Sequence, residues 1–325
     1  MQSRVIIMNK QGAPSVMRED TVVLGPPGDG EVLLRQTAIG LNYMDVYQRS
    51  GYYPLDMPSG LGLEGAGVIE AIGEDVDDFK EGDRAAYGGS APGGYAEYRN
   101  MPVARLVKVP DAVTDEQAAA VMLKGMTVEY LLNRTYQIKA GESVLFWAAA
   151  GGVGLLAGQW GKEIGARMIG VAGGPKKCAL ALAHGYEAVI DRNNEDVVAR
   201  IQELTDGNGV PVAYDSVGKE TFEQTMDCMA VRGMFVSFGT TSGSVPPVLA
   251  ADLQHRGSLY FCRPSLANYC ASREDLVNSA AAVFSMIEKG AIKIEINQRY
   301  PLADIVQAHT DLEAGQTSGS TIITP

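Results

Sequence analysis

An apolar run, Ser143-Val-Leu-Phe-Trp147, enters a turn of small residues, Ala148-Ala149-Ala150-Gly151-Gly152-Val153-Gly154. That pattern suits the binding of a pyrophosphate. Small residues let the backbone approach the phosphates, and the N-terminus of a following helix offers unpaired N–H groups and positive dipole charge. The segment fits the dinucleotide fingerprint with Ala149 at the first glycine position, and Gly151, Gly152 and Val153 are the expected coenzyme contacts. Val153, Ala157, Trp160 and Ile164 recur at helical spacing, Gly165 ends the helix, and 167–172 reads as the second strand of a β-α-β unit.

The end of that second strand decides between the two nicotinamide coenzymes. An NAD site usually carries a carboxylate there for the ribose 2′-hydroxyl. This chain has Gly173-Gly174-Pro175-Lys176-Lys177. Two glycines leave room for a 2′-phosphate and Lys177 can neutralise it, whereas a carboxylate would repel it. Arg192 follows the third-strand candidate 188–190 and stands in the right topological place to add a second cation. The expected coenzyme is NADPH; lysines merely solvated at a helix start are the competing reading.

The remaining elements follow from periodicity. In the first part of the chain 31–39, 67–72, 84–87 and 95–98 read as short strands broken by glycine, which suggests a compact barrel. Thr114 and Gln117 form a capping box and start a helix near Asp115. From there strands (212–217, 234–238, 258–262) alternate with helices (195–205, one marked by Phe222, Met226 and Met229, and 248–256). Such alternation calls for an α/β fold with a Rossmann-type, doubly wound parallel sheet. Ser272 caps a further helix with the stripe Leu276, Ala280, Val283 and Ile287, and Ile292, Ile294 and Ile296 alternate as a half-buried strand, so the tail returns to β-structure.

With 325 residues and a net charge of −12, the chain has room for two domains and little attraction for nucleic acid or anionic membrane. No run is long and apolar enough for a membrane span or a signal peptide. The four scattered cysteines suit a reduced, cytoplasmic protein.

Barrel, dinucleotide fold and returning tail together resemble the medium-chain dehydrogenase/reductase superfamily, over essentially the whole chain. Gly40-Leu-Asn-Tyr-Met-Asp-Val-Tyr47, Pro58-Ser-Gly-Leu-Gly-Leu-Glu-Gly-Ala-Gly67, Leu123-Lys-Gly-Met-Thr127, Asp215-Ser-Val-Gly218, Ser237-Phe-Gly239 and Arg263-Pro-Ser-Leu266 are similar to its zeta-crystallin branch of bacterial NADPH:quinone reductases. The resemblance implies a GroES-like catalytic domain at 1–122 and 291–325 and an NADP-binding domain at 123–290. It also implies an enzyme reducing quinones, or else enals and enones. An RNA-binding or lens-type structural role, known in the wider family, fits the acidic charge poorly. Zinc enzymes of the superfamily carry ligands where this chain has Asn42 and Leu63, so no metal is expected.

Without a metal, the protein orients the substrate and donates hydrogen bonds to a developing oxyanion. Asn42 is the first candidate, near the nicotinamide ribose or the quinone oxygen; a turn residue is the alternative. Tyr47 and Tyr53 either line a flat aromatic pocket or simply pack. Asp45 ties down its loop beside these coenzyme contacts. Thr127 and Tyr130 contact the coenzyme by resemblance. Val217, Phe238, Gly239 and Thr240 follow the ends of parallel strands, where such sheets bind ligands. Arg263, flanked by Cys262 and Pro264 in the same group, binds substrate oxygen or coenzyme phosphate, or makes a structural ion pair. The short, apolar 258–262 strand ends the α/β run, and pairing of such an edge predicts a homodimer.

Overall fold

The computed structural model describes all residues from 1 to 325. They form two compact units, 1–126 with 270–288 and 294–325, and 127–269 with 289–293.

In the second unit six strands form one parallel sheet. In chain order they are Ser143–Trp147, Arg167–Ala172, Ala188–Asp191, Val210–Asp215, Met229–Ser237 and Tyr260–Cys262. Across the sheet the third lies at one edge, then the second, first, fourth, fifth and sixth. The order reverses beside the first strand, which is where open α/β sheets bind ligands. The first, second and fourth strands are almost wholly buried and read as near-continuous apolar runs. Leu145, Ile169, Ile190, Ala213 and Phe235 share one core with Val197, Ile201, Phe222 and Met226 from the covering helices.

The first unit holds a seven-stranded sheet and a separate three-stranded one. The long strand Glu31–Leu41 is central, pairing with Glu64–Ile72, Tyr98–Pro102 and the tail strand Ser320–Thr324. The tail therefore returns to this unit as expected. Helix Arg273–Glu288 belongs here too, although the sequence placed it with the cofactor domain. A Cβ at Gly125 would lie 2.8 Å from Val283 Cγ1, and Arg273 donates to the Leu106 carbonyl, so the helix docks by its own apolar stripe.

Both predicted helix starts have their caps. Thr114 Oγ1 receives the Gln117 N–H at 3.1 Å while the Gln117 side chain receives the Thr114 N–H at 2.9 Å, and Ser272 Oγ receives the Asp275 N–H at 3.0 Å. Three predicted elements differ. Met229 opens the fifth strand opposite Val210 instead of ending a helix, because that helix stops at Asp227. Residues 95–97 carry a single bridge, Val5 to Ala96, and the regular strand begins at Tyr98. The strand expected from Ile292 begins only at Ile296, since the Lys293 backbone N–H and carbonyl are bonded to the Gln159 amide. No helix is long and apolar enough to cross a membrane.

Candidate active site

Every coenzyme residue expected between 151 and 264 lies at the carboxyl end of a strand of the second unit's sheet, in the turn that follows, or in the first turn of the next helix. After the first strand, Ala148 takes a left-handed conformation (φ 56°) and accepts the Gly151 N–H at 2.9 Å. Helix Gly152–Ile164 starts directly beyond this turn. A side chain on Gly154 would collide with the Ala148 and Ala149 carbonyls, so the helix approaches the turn as closely as it does only with glycine there. Gly151, Gly152 and Val153 are half-buried; Gly151 caps the helix, and Gly152 and Val153 supply its first N–H groups.

After the second strand, Gly174 has φ 85° and caps helix Pro175–Leu182, on whose first turn Lys177 sits half-buried. The atoms nearest to a Cβ on Gly173 would be Arg192 Nε and Asn193 Oδ1, each at 3.5 Å. Gly173 and Arg192 are thereby brought together, and Gly174 leads into the helix that carries Lys177. No carboxylate ends the second strand. Asp191 ends the third, and it reaches across to the Gly174 N–H at 2.8 Å.

After the fourth strand, Asp215 is fully buried and accepts from the Val217 and Gly218 N–H groups and from the Thr221 and Thr225 hydroxyls. Burial raises its carboxyl above the usual range, and these donors oppose the shift. The arrangement fixes the turn that carries Val217. At the end of the fifth strand Phe238 packs 5.6 Å from Phe146, and Gly239 and Thr240 are buried. Arg263, between Cys262 and Pro264, donates to the Ser237 and Gly239 carbonyls at 3.1 and 2.9 Å. Its guanidinium therefore braces the loop that carries Gly239 and Thr240. Thr127 is buried, and Tyr130 stacks on Tyr269 with ring centres 4.5 Å apart.

In the first unit, Asn42 caps helix Tyr43–Ser50. Its Nδ2 donates to Glu64 Oε2 at 2.9 Å, and Lys124 Nζ reaches the same oxygen at 2.9 Å. Glu64 Oε1 receives the Leu123 N–H at 2.7 Å. Glu64 and Lys124 side chains are 0% and 7% exposed. Since the Glu64 oxygen paired with Lys124 accepts, this fixes which way the Asn42 amide points. Tyr47 is the centre of an aromatic group, with the rings of Tyr43, Tyr52 and Tyr53 at 5.2, 5.2 and 5.7 Å.

Asp45 is fully enclosed and accepts the Asn42 N–H at 2.9 Å and the Tyr95 hydroxyl at 2.8 Å. Burial pushes its carboxyl up to about 7, against the pull of those two donors. Tyr95 also lies 3.0 Å from His309 Nε2. With the Tyr95 hydrogen committed to Asp45, Nε2 must donate, which leaves His309 Nδ1 bare and without a partner. Burial and the nearby Arg49 charge push His309 down to about 3. His309 is thus a neutral core residue.

Sequence reasoning gave no role to Lys124, Tyr43, Tyr52, Tyr95, His309 or Asp191. Lys124 lies inside the quoted Leu123-Lys-Gly-Met-Thr127 stretch, and a lysine among apolar residues at the core of a helix was its only local signal.

Two family models match the chain, one for zinc-binding dehydrogenases at 152–273 and one for the alcohol dehydrogenase GroES-like domain at 28–111. The first name implies zinc, but the residues do not fit that ion. No group of three or more His, Cys, Asp or Glu side chains is arranged to hold a metal. A quinone oxidoreductase of Pseudomonas aeruginosa is 50% identical over 315 residues, covering 97% of each chain. The crystal structure of Escherichia coli quinone oxidoreductase complexed with NADPH is 44% identical, with a TM-score of 0.97 over 99% of this chain and 100% of that one. A 2-haloacrylate reductase of a Burkholderia species is 36% identical over 98% of each chain. The likeness to these relatives runs along nearly the whole length, and the chain belongs to the medium-chain dehydrogenase/reductase family, in its quinone oxidoreductase group.

Proposed function

We propose that the protein reduces quinones with NADPH and without a metal. The observation that carries this reading is the end of the second strand, where Gly173 lies under Arg192 and Gly174 caps the helix whose first turn carries Lys177, with no carboxylate on that strand. It is supported by the 44% identical relative solved with NADPH.

NADPH supplies a hydride when bound. The backbone N–H groups around Gly151, Gly152 and Val153 hold the pyrophosphate at the helix N-terminus. Lys177 and Arg192 neutralise the 2′-phosphate. Val217, Phe238, Gly239, Thr240, Cys262 and Pro264 supply the strand-end contacts, and Arg263 keeps that edge in place from the Ser237 and Gly239 carbonyls. Thr127 and Tyr130 bound the same coenzyme. Asn42 offers its second amide N–H to the nicotinamide ribose or to the quinone oxygen as charge develops there. Tyr47 and Tyr53 present ring faces and hydroxyls to a flat substrate. Asp45 acts through Asn42, whose backbone it holds.

Steady-state rates on panels of 1,4-quinones, ortho-quinones and enones test the reading. Quinones should be the better substrates by kcat/KM. The 2-haloacrylate reductase relative favours a second reading, reduction of an activated C=C bond, and preference for the enones would establish it.

Two further expectations follow. Elemental analysis should find well below one zinc per chain, with turnover unchanged by EDTA or phenanthroline. Stoichiometric zinc with chelator-sensitive activity would overturn this. The protein should also be a homodimer, because the sixth strand, Tyr260–Cys262, lies at the sheet edge with Tyr260 58% exposed. Light scattering at micromolar concentration should return twice the chain mass, and a monomer would refute the edge pairing. The four free cysteines suit a cytoplasmic setting.

A further inference from the structure

We infer that Asp191 determines coenzyme specificity as a positioning residue, holding the Gly173-Gly174 turn open for the 2′-phosphate by a bond from one strand end to the next. This rests on the reading that Gly173, Gly174, Lys177 and Arg192 form the 2′-phosphate site.

Asp191 is the last residue of the third strand and lies in register with Ala172, the last residue of the second. Its Oδ1 receives the Gly174 N–H at 2.8 Å and the Asn193 N–H at 3.1 Å, and its Oδ2 receives Asn194 Nδ2 at 2.8 Å. The comparison with Asp215 is instructive. Both are strand-terminal aspartates that accept N–H groups from the residues just after them, as such side chains do in turns. Asp215 serves only its own turn and helix. Asp191 also captures the backbone of the neighbouring turn, at the residue that caps helix Pro175–Leu182.

That turn needs holding. Gly173 and Gly174 have no Cβ to restrict them, and Gly174 sits at φ 85° and ψ 156°, a region open in practice only to glycine. The Asp191 bond selects this conformation out of many. It also resolves an apparent conflict, a carboxylate close to a site for a dianion. The Gly174 and Asn193 N–H groups hold the carboxyl below its usual range, so its negative charge is directed onto backbone donors. Arg192 and Asn193, which follow directly, are placed over Gly173 by the same turn.

The test is calorimetric binding of adenosine 2′,5′-bisphosphate and of 5′-AMP to the full-length protein, with the NADPH and NADH kinetic constants measured beside it. Asp191→Ala should weaken the bisphosphate by about tenfold or more, the loss of a hydrogen bond to a charged group, and 5′-AMP much less. Asp191→Asn keeps an acceptor for Gly174 and should recover most of the difference. Tighter bisphosphate binding in either variant would show a merely repulsive carboxylate and overturn the inference. So would an unchanged affinity ratio, or an equal loss of both ligands in Asp191→Ala that Asp191→Asn fails to recover. Lys177→Ala is the control for the underlying site. If it leaves the ratio at the wild-type value while Asp191→Ala lowers it, the site reading is wrong. If only Lys177→Ala lowers it, the site stands and Asp191 has no part in it.

Discussion

NADPH should exceed NADH in kcat/KM by on the order of a hundredfold, and Lys177→Ala should remove about tenfold or more of that from NADPH. The 2′-phosphate carries up to two negative charges. Hydrogen bonds to charged groups contribute roughly 1.5–3 kcal/mol each, and each 1.36 kcal/mol is a factor of ten. Two such partners, Lys177 and Arg192, therefore give about a hundredfold or more. The loss in Lys177→Ala should fall on NADPH with far less change for NADH, which separates charge pairing from damage to the fold. Lys177 is half-buried on the first helical turn. Arg192 is exposed, with Nε 3.5 Å from where a Gly173 side chain would begin. An unchanged NADPH constant in Arg192→Ala would make Arg192 a surface residue and leave Lys177 acting alone. Equal efficiency of the wild type with both coenzymes would overturn the assignment.

What made this half of the site readable was its local chemistry. A strand, a turn of small residues and a helix must be contiguous to hold a pyrophosphate, so 143–154 announces itself. The same holds for the end of the second strand and for the caps at Thr114 and Ser272, each written within a few residues. Asp191 escaped because its decisive bond spans 17 residues, from the end of one strand to the turn after another. The buried polar groups of the first unit were further out of reach. Tyr95 and His309 are 214 positions apart, and Lys124 and Glu64 are 60 apart. Nothing in either local sequence marks such a partner. The grouping of helix Arg273–Glu288 with the first unit was out of reach for a related reason. The stripe of helix Arg273–Glu288 shows that it packs on something, while only contacts such as Val283 on Gly125 show on what.

Lys124→Met should lower the thermal midpoint by on the order of 10 °C. Removing one member of a buried ion pair leaves an uncompensated charge, which costs about 3–5 kcal/mol, and each kcal/mol lowers Tm by a few degrees at this chain size. Glu64 has no route to water. Its side chain is 0% exposed, and its carboxylate presses so closely on Gly40 that any side chain there would collide with it. After Lys124→Met, the Leu123 N–H and the Asn42 amide would be the partners left to it. A Tm within about 2 °C of wild type, read by differential scanning calorimetry, would show that the pair is not held as an ion pair. The double variant Glu64→Leu with Lys124→Met separates stability from function. Exchanging a whole buried pair for apolar side chains is often neutral or stabilising, so its Tm should return toward the wild-type value. Its activity should not return with it. Asn42 would have no acceptor for the N–H that now fixes its amide, and the second N–H would lose the orientation proposed for the developing oxyanion. We therefore expect the double variant to fold normally with kcat reduced, and with coenzyme affinity nearly intact where the Asn42 amide meets the quinone oxygen but weakened where it meets the nicotinamide ribose. Recovery of both Tm and kcat would reduce Glu64 and Lys124 to core packing and remove the argument that they position Asn42.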